Sequence, residues 1–138
     1  MKPMRETELR RLVSERAGWR CEYCHAPQRS TGQTFHLDHV VPRSRGGKRT
    51  PDNLALACPH CNLTRREQEL AIDPRTGRIV VLFNPRRDVW DTHFRWNVNR
   101  SRLIGKTATG RATIHALKLN AADQVEARAW WYLMGLIP

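Results

Sequence analysis

His36-Leu37-Asp38-His39 lies between Cys21-Glu22-Tyr23-Cys24 upstream and Cys58-Pro59-His60-Cys61-Asn62 downstream, so two thiol pairs bracket an acid and a base. Thr34-Phe35-His36-Leu37 reads as a short strand. Because strand side chains alternate between faces, Asp38 and His39 are expected to point in different directions and to do different work. The pair suits a divalent-cation ligand at Asp38 and a general base at His39. Alone, it equally suits a turn carboxylate and a surface histidine. The thiol frame gives it weight.

A thiolate binds zinc well because the metal is borderline-soft and accepts four sulfurs in a tetrahedron without geometric penalty. Cys21, Cys24, Cys58 and Cys61 fit a closed, structural Zn²⁺ site. The separation from Cys24 to Cys58 exceeds that of the commonest zinc ribbons, so the intervening chain must hold structure of its own. A redox Cys-x-x-Cys is the first alternative, weakened because there are two pairs and neither opens a helix after a long buried strand. Two disulfides are the second. Met1 to Arg20 is studded with Arg and Glu and lacks an apolar run, so no secretory signal is expected, and nothing later approaches a membrane span. A cytoplasmic chain keeps its thiols reduced, which weakens that alternative too.

Lys and Arg number 24 against 13 Asp and Glu in 138 residues, a formal charge of +11 that no single tail carries. Such a field attracts polyanions and makes a nucleic acid the expected partner.

Thr7 is placed to cap a helix running to about Arg16, packing Leu9, Leu12, Val13 and Ala17. Leu54-Ala55-Leu56-Ala57 reads as a buried strand pairing with the His36 strand. Pro59 suits the first turn of a helix continuing to about Ala71, with Leu63, Leu70 and Ala71 for packing. Asp73-Pro74-Arg75-Thr76-Gly77 is a turn, and strands are expected at Ile79 to Phe83, His93 to Val98 and Arg102 to Lys106, in one small antiparallel sheet. Thr109 begins a helix, and Asn120 is placed to cap a last one through Met134. The fold class is α+β: residues 1–72 form a zinc-stapled core with an N-terminal helix, and residues 73–138 a strand-and-helix extension packed on it.

Cys21-x-x-Cys24, Leu37-Asp38-His39-Val40-x-Pro42-x-Ser44-x-Gly46-Gly47, Asn53-Leu54 and Cys58-x-x-Cys61-Asn62 together resemble the HNH endonuclease family, whose ββα-metal core is often carried between two Cys-x-x-Cys knuckles. The tail, with Leu82-Phe83-Asn84-Pro85-Arg86 and His93-Phe94-x-Trp96, is similar to a set of bacterial HNH proteins. The resemblance implies a metal-dependent DNA endonuclease. It places the first family letter on His39, the general base, and the second on Asn53, which holds the loop and orients that base. The third falls on Asn62 in place of the more usual His, an HNN variant. An amide oxygen serves a hard cation such as Mg²⁺ or Mn²⁺, with Ni²⁺ also possible. His60 lies nearer the literal pattern, but a residue between two zinc ligands is aimed by the knuckle.

Arg43, Arg45, Lys48 and Arg49, after His39, and Arg65 and Arg66, on the Asn62 helix, are candidate phosphate contacts. A second basic group, Arg86, Arg87, Arg95, Arg100, Arg102 and Arg111, is interleaved with Trp90, Phe94 and Trp96. Those rings read as core, with the arginines toward DNA or solvent. Two other classes stay open: a zinc-stapled nucleic-acid-binding module without turnover, and a cytosolic thiol oxidoreductase.

Overall fold

The computed structural model describes residues 3–137. In chain order its elements are α1 (Glu6–Arg16), α2 (Gln28–Thr31), β1 (His36–His39), β2 (Leu54–Ala57), α3 (Pro59–Arg65), β3 (Leu70–Ile72), β4 (Ile79–Val81), α4 (Trp90–His93), β5 (Phe94–Trp96), β6 (Leu103–Gly105), α5 (Ala108–Ala116) and α6 (Ala122–Leu133). β1 and β2 pair antiparallel, from His36 opposite Ala57 to His39 opposite Leu54. Every residue of β2 is buried, as its unbroken apolar run requires. The chain then turns at Cys58, whose sulfur accepts the Cys61 N–H at the head of α3, with Pro59 in the first turn where its missing N–H costs nothing. The expected strand, strand, helix order is thus present.

α3 is shorter than expected. Arg66 has φ 54° and ψ −126°, a positive-φ conformation that ends the helix. Leu70 and Ala71 do not continue it; they belong to β3, which pairs with β4. The period there is two, because Leu70 and Ile72 project to one side and Ala71 to the other, and the Asp73 turn closes the hairpin. Leu63 is exposed and packs against nothing in the core.

The strands form three separate two-stranded sheets, β1–β2, β3–β4 and β5–β6. Leu82 N–H still donates to Glu69 O at 2.9 Å, and beyond it the chain leaves its partner strand. Phe83 N–H donates to Thr113 Oγ1 at 3.0 Å on α5, and Leu82 and Phe83 enter the core. Two expected caps and one expected helix start are also different. Arg5 precedes α1 with no side-chain bond, so Thr7 lies inside the first turn. Thr107 caps α5 by accepting from Gly110 N–H at 3.0 Å, two residues before Thr109. Asn120 clamps β6, donating to Leu103 O at 2.8 Å and accepting from Leu103 N–H at 2.9 Å.

One hydrophobic core joins the two halves: Leu9 and Val13 of α1 meet Leu54 and Leu56 of β2, and the same cluster takes in Phe83, Phe94, Leu103, Leu117 and Leu119. No helix among the described residues is long and apolar enough to cross a membrane.

Asp73 fastens the β3–β4 turn to α5, accepting from Arg111 Nε at 3.0 Å and Nη2 at 2.9 Å. The Arg111 guanidinium, helped by Thr76 Oγ1 and Arg75 N–H, holds the Asp73 carboxyl well below the usual carboxylate range. A depressed folded pKa gives stability that is full above the unfolded value, about 3.9, and is lost as pH falls through the folded one. Asp73→Asn is therefore expected to melt earlier than wild type at neutral pH, with the gap closing as pH drops below about 4. Parallel thermal melts across that range check it; a gap independent of pH contradicts it.

Candidate active site

The Sγ atoms of Cys21, Cys24, Cys58 and Cys61 are buried and lie within 4.8 Å of one another. Zn–S bonds near 2.3 Å make a tetrahedron with edges of about 3.8 Å; Cys24 and Cys58 are 3.7 Å apart. Disulfide sulfurs would be about 2.05 Å apart, and all four cysteines are free. The four are positioned to form a zinc site. His60, between two of them, turns to the extension, its Nε2 at 2.9 Å from Leu117 O and 3.0 Å from Lys118 O. Both partners are carbonyl acceptors, so these contacts call for the tautomer that carries its proton on Nε2.

Beside this knuckle is a cavity of about 220 Å³ lined by Asp38, His39, Pro42, Arg43, Asn62, Arg66 and Glu67 among others. The strand sends Asp38 inward and leaves His39 half-exposed, as alternation demands. α3 brings Asn62 to the same space one residue after the last cysteine. The amide of Asn62 has no side-chain hydrogen bond among the described residues. Asp38 Oδ2 accepts from Tyr23 Oη at 2.8 Å and from Arg65 Nη1 at 2.7 Å, while Oδ1 accepts from none of the described residues. Burial pushes the Asp38 carboxyl above its ordinary value, with Arg65 and Tyr23 opposing.

Arg65 corrects the sequence reading. Expected to contact phosphate, it is only 3% exposed. Besides Asp38 it bonds the carbonyls of His39, at 3.1 Å, and Val40, so it cross-links α3 to the end of β1. A guanidinium so desolvated needs its carboxylate. Arg43 and Arg66 do line the cavity. Arg45 is paired with Glu69 at 2.8 Å and Arg49 with Glu6, while Lys48 is exposed and free of ion pairs among the described residues.

Arg43 Nε donates to His39 Nε2 at 3.2 Å, which requires an unprotonated acceptor nitrogen. Burial first, then the Arg43 and Arg49 charges, lower the His39 pKa. The ring is therefore held in its basic form.

Asn53 ties the loop after β1 into a fixed shape. Its Oδ1 accepts Val41 N–H at 2.9 Å, and its Nδ2 donates to Val41 O at 3.1 Å and Lys48 O at 2.9 Å. Gly47 packs inside that clasp: a Cβ there would fall 1.7 Å from Val41 O and 2.9 Å from Asn53 Nδ2. Gly47→Ala is expected to cost at least about 1–3 kcal/mol, because the obstructing atom is backbone. Chemical denaturation measures it; an unchanged midpoint would mean that the loop is loosely held.

Sequence reasoning passed over Tyr23, which holds the acid from within the first knuckle, and Glu67, a second carboxylate on the cavity wall that accepts from Ser44 Oγ at 3.2 Å. Glu67 carried one signal: it is the first acid after Asn62. Tyr23 carried none.

An antiparallel strand pair and helix, stapled by four cysteines around an acid, an imidazole and a free amide, define a zinc-knuckle ββα module. The family model for HNH endonuclease matches residues 21–68. The CRISPR-associated endonuclease Cas9 of Corynebacterium diphtheriae is 33% identical over 72 residues, which are 51% of this chain and 6% of that protein. The chain thus spans a small fraction of that relative. No solved structure matches the chain significantly. The family and the relative support nuclease activity in general.

Proposed function

We propose that the chain is a metal-dependent DNA endonuclease, with His39 as general base and one Mg²⁺ or Mn²⁺, or alternatively Ni²⁺, held by Asp38 and Asn62. The observation that carries this reading is the convergence of Asp38, His39 and Asn62 on one cavity beside the zinc-competent knuckle. The free Asp38 Oδ1 and the unpartnered Asn62 amide are hard donors, which suits a cation that retains several waters. When bound, such a cation neutralises charge on a phosphate oxygen and on the departing 3′ oxygen.

His39 takes the proton of a water, whose oxygen bonds phosphorus as the P–O3′ bond breaks. The departing oxygen takes a proton from solvent, leaving 5′-phosphate and 3′-hydroxyl ends. For Nε2 to accept that proton, Arg43 must turn away, and a backbone phosphate is the partner that draws it off. Arg66 supplies a second phosphate contact. Asn53 keeps the loop, and with it Arg43, in register with the base. Residues 1–72 carry the chemistry, and residues 73–138 buttress the knuckle. The cytoplasm, where the thiols stay reduced, is the proposed location.

The test is incubation of zinc-loaded protein with supercoiled and linear DNA in Mg²⁺, Mn²⁺ or Ni²⁺. Cation-dependent nicks or breaks are expected. A non-catalytic nucleic-acid-binding module is the second reading, favoured by the grip of Arg65 and Tyr23 on one Asp38 oxygen; DNA binding without any cleavage would establish it.

A further inference from the structure

Away from the Asp38 cavity, α4 and the β5–β6 hairpin line a second cavity of about 520 Å³. Trp90 and Trp96 stand on its wall, both half-buried, with ring centroids 5.6 Å apart and ring planes 38° apart. Around them are Arg95, Arg100 and Lys106, none ion-paired among the described residues. One acid, Asp91, shares the wall, and Lys106 Nζ bonds its backbone carbonyl at 2.7 Å.

Both rings are pinned. Trp90 Nε1 donates to Tyr23 O at 2.9 Å and its ring stacks on His25 at 4.0 Å; Trp96 has the Arg128 guanidinium over its ring at 5.8 Å. The hairpin loop is equally fixed, since Asn97 Oδ1 accepts from Ser101 N–H at 3.0 Å and Arg102 N–H at 3.1 Å. Arg100 sits at its tip in a left-handed conformation, φ 59°. Phe94, by contrast, is fully buried in the core. Trp90 and Trp96 pack against that core as the sequence reading expects, while still standing on the cavity wall.

We propose that this cavity binds unpaired nucleotides of single-stranded DNA, the bases against Trp90 and Trp96 and the phosphates against Arg95, Arg100 and Lys106. A rigid aromatic surface ringed by unpaired cations matches a chain of flat apolar bases on an anionic backbone, and stacking alone is worth about 1–3 kcal/mol per base. A duplex hides its base faces in its own stack, so the occupant is a single strand. The choice of DNA over RNA rests on the nuclease reading; stacking and charge serve both.

The test uses the zinc-loaded chain without added Mg²⁺ and labelled oligothymidine of about 12 nucleotides. The charge-reversal variant Arg95→Glu with Arg100→Glu is expected to bind it at least about tenfold more weakly, while affinity for a blunt duplex changes less than about twofold. Photocrosslinking of a bromouracil oligomer to wild type is expected to mark Trp90 or Trp96. Unchanged affinity in the variant, equal losses on strand and duplex, or crosslinks confined outside residues 90–106 would overturn the site. Tighter binding of oligouridine than of oligothymidine would overturn the choice of DNA. Binding is read without cleavage: a chain that holds the strand but cuts nothing leaves this site standing and sinks the nuclease reading alone.

Discussion

His39→Ala is expected to lower DNA cleavage by about 10²- to 10⁴-fold and to leave salt-sensitive DNA binding unchanged. That range is what a positioned base contributes, and it corresponds to about 2.7–5.5 kcal/mol on the barrier. The variant is interpretable because His39 is half-exposed at the end of β1 and, among the described residues, its ring is bonded by Arg43 alone. Truncating it opens no hole in the core and strands no buried charge. Asp38→Ala is a poorer probe: it would leave Arg65 buried without its carboxylate, a loss of about 3–5 kcal/mol of stability that would mimic a catalytic defect. Asp38→Asn keeps the shape and some of the hydrogen bonding. Single-turnover cleavage with saturating enzyme, alongside anisotropy binding, separates the two effects. Wild-type rates in His39→Ala would remove the imidazole from the mechanism.

The ββα order was legible because its signals are local and redundant. The Leu-Ala-Leu-Ala run can only be a buried segment, Pro59 marks a helix start, and two Cys-x-x-Cys pairs force the intervening chain back on itself. Strand alternation accounts for the different burial of Asp38 and His39, whereas their grouping with Asn62 on one cavity came from the family resemblance. The fate of Arg65 was not legible. Its partner Asp38 lies 27 residues away, and a basic residue late in a helix near a DNA-binding site looks the same in sequence whether it faces phosphate or a buried acid. The end of α3 was hidden for a different reason: Leu63, Leu70 and Ala71 keep helical spacing, while the positive φ at Arg66 that breaks it belongs to a residue with no special preference for that conformation. Asn53 as the clasp of the loop came from the family resemblance. Its physical basis, three bonds to Val41 and Lys48 around a glycine with no room for a Cβ, is visible only in three dimensions.

Stripping zinc from the folded chain is expected to unfold the half that carries the four cysteines outright. The four cysteines belong to the main hydrophobic cluster together with Leu54, Leu56 and Tyr23, and they join a turn at residues 21–24 to the head of α3. That junction sets where Asn62 stands relative to Asp38. Structural zinc contributes about 10–16 kcal/mol of binding free energy in small knuckles at neutral pH, whereas a whole domain of this size has a net stability of about 5–15 kcal/mol. The metal term is thus as large as the margin it protects, and the buried thiols left behind have no other partners of comparable strength. Cys58→Ala removes both a thiolate of the cluster and the α3 cap acceptor, so it should behave like the stripped protein. Elemental analysis is expected to find one zinc per chain, and chelation under mild denaturant to release it together with loss of helical circular dichroism. A chain that gives up its zinc with no change in melting temperature would show that the α1, β2 and Phe83 packing suffices to hold the two knuckles together.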